Sequence, residues 1–219
     1  MAGVKGQLQD RGVRRRQAIL DAAIDVFAAH GFRGGALAEI GRRAGISAAG
    51  VLHHFGSKQA LLLATIQERD RRSVPAASEL SDIGGIEMIR GLIRFARQGV
   101  DEPGLDALHT MLLAEHLAQD SEVQRYFLER GRLVRIWLAD GIRTGQDRGE
   151  ISAAVDPEAT AAEILAFQEG ASLLAQLDPG VSLVGLYEAY IDKLVAAISE
   201  PVAAAGELTR RAADASEAP

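Results

Sequence analysis

The sequence predicts an all-α protein. Apolar residues recur at three- and four-residue steps from one end to the other, no alternation of apolar and polar β-branched residues is long enough for a strand, and glycine and proline turns punctuate the chain at helical intervals. A length of 219 residues, 47% of them hydrophobic and 25% charged, supplies a sizeable core. No apolar run approaches the roughly 18 residues that a membrane-spanning helix needs. Zero cysteines exclude disulfides, thiolate nucleophiles and cysteine-ligated metals. The basic, polar start, with Lys5, Asp10, Arg11, Arg14, Arg15 and Arg16, lacks the apolar stretch of a secretory leader, so a cytoplasmic location is expected.

The first helix is expected from about Arg14 to His30, with Leu20, Ile24 and Phe27 on one face and Gly31 as its stop. A short second helix, Leu37 to Ala44, carries Leu37, Ile40 and Ala44 at helical spacing and ends at Gly45. Ser47 is a good N-cap for a third short helix, Ala48 to Phe55, and Ser57 caps a fourth that begins at Lys58. Beyond Arg72 the segments lengthen: Gly85 to Val100, Leu105 to Ala118, Glu122 to Arg148, Pro157 to Leu177 and Leu183 to Ser199. Asp101-Glu102-Pro103-Gly104 and Asp178-Pro179-Gly180 read as turns, and Asp156 before Pro157 reads as an N-cap with proline at the first helical position. That makes about nine helices. Residues 201–219, rich in alanine and glutamate with no apolar stripe, are expected to be a disordered tail.

Charge is unevenly spread. Met1 to Lys58 holds nine basic residues against four acidic ones, a net of +5, while the whole chain carries −6 and a pI near 5.4, leaving −11 for the rest. A basic head on an acidic body fits a small polyanion-binding unit joined to a larger one with another task.

Within that head, short helix, Gly45, Ser47 cap and second short helix outline a helix-turn-helix, whose second helix presents exposed side chains to the major groove. The run Gly31-Phe32, Leu37, Glu39-Ile40, Ala44-Gly45-Ile46-Ser47, Val51-Leu52-His53-His54-Phe55 and Ser57-Lys58-Gln59-Ala60-Leu61-Leu62 resembles the N-terminal DNA-binding domain of TetR-family transcriptional regulators. The resemblance covers about Arg14 to Ile66. Two residues depart from it: Ala36 stands where the family usually has a capping threonine, and Leu52 where it commonly has a tyrosine, both of which contact phosphate. The resemblance puts Ala48, Ala49, Gly50, His53 and His54 on the groove-facing side, with Lys58 holding the phosphate backbone; Ser47 and Leu52 complete the DNA-binding set, and local packing or capping is the alternative for one of the two histidines. Small side chains let the helix approach base edges, and imidazoles bond to bases or phosphates. Arg42 and Arg43 are further phosphate candidates; a solvated basic face is the alternative.

The body offers two more candidate surfaces. In the last two helices Ala162, Ala166 and Gly170 form a small-residue row, and Tyr187, Ile191 and Leu194 form an apolar stripe. Two such helices from each of two chains would make a four-helix bundle, which is how TetR-like proteins dimerise. The middle helices carry candidates for a small-molecule pocket: Met88, Phe95, His109, Leu112, His116, Phe127, Trp137 and Phe167. His109 and His116 share a helix face where a plain core would prefer leucine, but they are too few for a metal site.

Residues 1–66 are therefore read as the DNA-binding unit and 67–200 as the effector-binding and dimerisation unit. No dinucleotide-binding glycine motif, P-loop or H-E-x-x-H occurs, and Gly45 to Gly50 is one residue too long for a nucleophile elbow, so neither an enzyme nor a cofactor is expected. The expected partners are double-stranded operator DNA, a second copy of the chain and a small-molecule effector that releases a repressor from its operator. The competing reading is a helical adaptor that does not bind specific DNA.

Overall fold

The computed structural model describes residues 2–117 and 121–199; the expected tail, 201–219, lies outside them. Among the described residues the chain is helical throughout, with one isolated antiparallel bridge between Ile151 and Ser199. The helices are α1 (Ala2–Gly34), α2 (Leu37–Arg43), α3 (Ala48–Phe55), α4 (Lys58–Ile83), α5 (Gly85–Gly91), α6 (Ile93–Asp101), α7 (Pro103–His116), α8 (Glu122–Asp147), α9 (Pro157–Leu177) and α10 (Leu183–Ile198). No helix among the described residues is long and apolar enough to cross a membrane.

Side-chain caps hold several starts where the sequence places them. Ser47 Oγ accepts from Gly50 N at 3.1 Å, Ser57 Oγ from Ala60 N at 3.0 Å, and Asp156 from Glu158 N and Ala159 N. Three boundaries differ from the expected ones. α1 begins at Ala2 rather than Arg14, and Gly31 kinks it (φ 64) instead of ending it, since the N–H of Phe32 is taken up by the Glu115 carboxylate at 2.7 Å. α4 runs on past Arg72 to Ile83, carrying Pro75 on its exposed side. The segment Gly85 to Val100 is two helices, because tight bonds from Leu92 N to Ile89 O and from Phe95 N to Leu92 O turn the chain at Leu92.

Two cores form. The first joins Ile24, Phe27, Ile40, Val51, Leu61 and Leu62 of α1–α4 to Leu105, Leu108 and Leu112 of α7 and to Val123 and Phe127 of α8. The second packs Met88, Leu138, Ile142, Ile164, Tyr187, Ile191 and Leu194 across α5 and α8–α10. α7 is thus built into the head's own core. Arg72 locks the same junction: its guanidinium donates to Glu68 at 3.2 Å, to Asp21 of α1 at 2.6 Å and to Glu102, at the start of α7, at 2.9 Å.

Candidate nucleic-acid interface and interior cavity

The turn between α2 and α3 is dictated by two glycines. Gly45 takes φ +68, a left-handed conformation costly for other residues, and Ile46 N bonds Gly41 O at 2.8 Å across the turn. A Cβ on Gly41 would stand 2.8 Å from the Ile46 carbonyl oxygen, so α2 and the turn approach only because none is there. α3 then hangs on one fully buried anchor, Val51, and exposes Ala49, Leu52, His53 and His54. The two imidazoles sit edge to face, 5.9 Å between centroids. No acidic residue lies on α3, so the surface it presents is small, apolar and imidazole-bearing.

The basic residues around it are differently employed. Arg42 grips Glu39 with two N–H groups at 2.7 and 2.8 Å, and Arg43 Nε adds a third bond at 2.7 Å. These bonds, that of Arg42 first, hold the Glu39 carboxyl down to about 2. Both arginines are exposed, yet part of their charge is already spent, which favours the solvated-face reading over two free phosphate anchors. The Lys58 ammonium lies 4.7 Å over the Phe32 ring and donates to Arg33 O at 3.4 Å, fixing the start of α4. Two arginines that sequence reasoning left in the basic start have structural partners here. Arg15 Nη1 donates to the Ala44 and Gly45 carbonyls at the end of α2, and Arg16 stacks 4.9 Å over Phe55 of α3. Both thread α1 onto the helix-turn-helix.

In the body a cavity of about 430 Å³ opens between α4 and α6–α10. The pocket candidates divide around it. Phe95, His109 and Trp137 line the cavity. The other five lie off its lining, a correction to the expected pocket. Met88 is fully buried against Gly141 in the second core, and Leu112 is fully buried in the first. His116 and Phe127 line a separate, smaller hollow of about 140 Å³. Phe167 also lies away from the cavity lining, stacked on Tyr190 at 3.9 Å between centroids. The stripe Tyr187, Ile191 and Leu194 needs the same treatment: at 5%, 5% and 7% exposure it is spent inside its own chain, and Tyr187 borders the cavity. What α9 turns outward is Ala166, Gly170, Leu173, Leu174 and Leu177, the last 73% exposed. A Cβ on Gly170 would meet nothing within 4 Å.

One wall of the cavity is a polar cluster that hydropathy reasoning passed over, since isolated charges read as surface. Asp70 accepts from Tyr126 Oη at 2.6 Å, from Arg69 Nη1 at 2.9 Å and from Arg130 Nε at 3.0 Å. His109 Nε2 meets Glu169 Oε2 at 2.8 Å while its Nδ1 is buried without a partner. Burial, then the nearby Arg69 charge, lowers the His109 pKa from 6.5 against the opposing pull of Glu169, so the ring is neutral and donates from Nε2. A histidine kept neutral in the fold takes up a proton on unfolding. Its contribution is therefore complete above 6.5 and is lost as pH falls below that value. The urea midpoint should drop between pH 7.5 and 5.5, and His109→Gln should flatten that part of the profile; an unchanged slope in the variant places the titration elsewhere.

Comparison with known proteins adds three findings. The family model described as bacterial regulatory proteins, tetR family, matches residues 19–65. The transcriptional repressor AcnR of Corynebacterium efficiens is 27% identical over 180 residues, covering 82% of this chain and 90% of its own. Among solved structures, the repressor SmeT of the Stenotrophomonas maltophilia efflux pump SmeDEF superposes with TM-score 0.70 at 23% identity, over 85% of this chain and 91% of that one. The Bacillus subtilis regulator FadR, solved with stearoyl-CoA, reaches 0.72 at 18% identity over 83% and 98%.

Proposed function

We propose that this TetR-family transcriptional regulator is a homodimeric repressor that α3 docks on operator DNA and that a small-molecule effector in the interior cavity releases. The observation that carries the reading is the construction of α7. It lines the cavity with Asp106 and His109 and fills the head's core with Leu105, Leu108 and Leu112, so an occupant that shifts α7 shifts the reading head. α4 makes the same connection, from Arg69 and Asp70 at the cavity to Leu61 and Leu62 beneath α3. An effector acts through its differential affinity for the two arrangements, and coupling of about 1 to 3 kcal/mol is typical.

Residues 1–66 form the DNA-binding unit and 67–200 the effector and dimer unit. His53, His54, Ala49 and Leu52 face the groove, and Lys58 contributes a phosphate contact with the N–H groups it does not spend on Arg33. The dimer forms on the outward face of α9 and α10, with Ala166 and Gly170 at its close approach; Ala162 flanks them. Two copies are needed because one short recognition helix contacts too few bases to be selective. The protein works in the cytoplasm and catalyses nothing, in line with its regulatory relatives.

Gel shifts at varied salt test the DNA-binding part. Affinity should fall steeply with salt, and Lys58→Ala should flatten the slope by about one unit. His53→Ala or His54→Ala should cost about 1 to 3 kcal/mol on the operator and less on random DNA if a base contact is removed. An adaptor would show neither salt dependence nor sequence preference.

A further inference from the structure

The cavity's two ends differ in chemistry, and their contacts define what fits between them. We propose that it takes an uncharged, elongated amphipathic molecule, whose carbonyl or hydroxyl head accepts hydrogen bonds from Arg69 and whose flat apolar body lies against Trp137 and Phe95. The proposal rests on the effector reading above and names the chemistry of that effector.

The ends are set by α4 and α8, which run side by side in the same direction. Tyr126 and Arg130 of α8 reach Asp70 of α4, and eleven residues further along α4 Ser81 accepts from Trp137 Nε1 at 2.6 Å. At 1.5 Å per helical residue the polar and aromatic ends stand about 16 Å apart. Phe95 closes the aromatic end, perpendicular to Trp137 at 6.2 Å, and Val134 and Leu133 line the wall beside them. An apolar ring or chain is matched there.

At the polar end the unspent hydrogen-bonding groups decide the head. The Asp70 carboxylate already accepts from three side chains, and Glu169 is taken by His109 with Arg130 at 3.9 Å. Arg69 lines the cavity with its side chain 16% exposed, and among the described residues its one hydrogen bond is to Asp70, so further N–H groups are left for an occupant. Charge and position then decide the head. Asp70 and Glu169 balance Arg69 and Arg130, Glu102 and Glu129 are paired with Arg72 and Arg132, and Asp106 stands on the neutral donors Ser172 and Gln176, so the lining is acidic overall. A carboxylate head would add to that buried negative charge, and an ammonium head at Arg69 would lie against its guanidinium and that of Arg130.

Three naphthalenes of similar size separate the cases: neutral 2-acetonaphthone, anionic 2-naphthoate and cationic 2-naphthylmethylammonium, each titrated calorimetrically into the full chain. The ketone should bind about tenfold or more tighter than either ion, and Arg69→Met should remove about that factor for the ketone while sparing oxygen-free 2-methylnaphthalene. Tightest binding of the naphthoate makes the ligand an acid, and tightest binding of the ammonium makes it a cation. Equal affinities make the cavity unselective, and each of these results overturns the proposal. Should Arg69→Met fail to fold, the ranking in the unmodified protein still decides. No DNA is present, so failure here leaves operator binding standing, and failure of operator binding leaves the ranking intact.

Discussion

Leu112→Ala should destabilise the protein by about 2 to 5 kcal/mol and weaken operator binding as well, although Leu112 borders neither the DNA-reading helix nor the cavity. The stability loss follows from deleting a fully buried side chain in a core that cannot fully collapse. The binding loss follows from position: Leu112 lies on α7 among the α1, α2 and α4 residues that carry α3, so a void there loosens the head's seating. Leu194→Ala is the control, because Leu194 is buried in the second core, away from the head. Urea unfolding and gel shifts on both variants, under conditions where each is folded, check the contrast. If Leu112→Ala binds operator as well as the parent chain does, the shared core does not couple the two units.

Gly170→Leu should turn the proposed dimer into a monomer while leaving the fold of each chain as stable as before. Within the chain nothing occupies the space its side chain would enter, and leucine is the better helix former, by a few tenths of a kcal/mol up to about 1. On the outward face of α9 the same bulk separates two helices that should nearly touch, and overpacking of this kind costs about 1 to 3 kcal/mol. Operator affinity should fall with it, since each monomer keeps only half the base contacts. Sedimentation and thermal unfolding, measured on the same sample, distinguish this from misfolding. A dimeric Gly170→Leu protein would move the interface away from this face.

How much of this was legible in the sequence depended on the range of the interaction concerned. Helix starts were legible because their causes are local: Ser47, Ser57 and Asp156 each cap an amide three residues on, within one turn of chain. The helix-turn-helix was legible for the same reason, as Gly45 and the Ser47 cap between two short helices, whereas the close approach at Gly41 was not. The break at Leu92 was not, since apolar periodicity runs straight through it. Nor was the role of Arg15, whose partner Ala44 lies 29 residues away. Tyr187, Ile191 and Leu194 show the deeper limit: an apolar stripe says that a helix face is covered but not by which chain. The cavity's polar wall was illegible for the opposite reason. Arg69, Asp70, Arg130 and Glu169 look like surface charges, and only the packing of α4, α8 and α9 turns them inward together.

Hydroxyl-radical footprinting on operators selected from a random duplex pool asks whether the basic head of a two-fold dimer reads DNA. A palindromic site is expected, with two protected half-sites about 34 to 36 Å apart, one helical turn, weakening steeply with salt and lost for Gly170→Leu. Selection that yields no palindrome, or a single protected patch unchanged in Gly170→Leu, would contradict it.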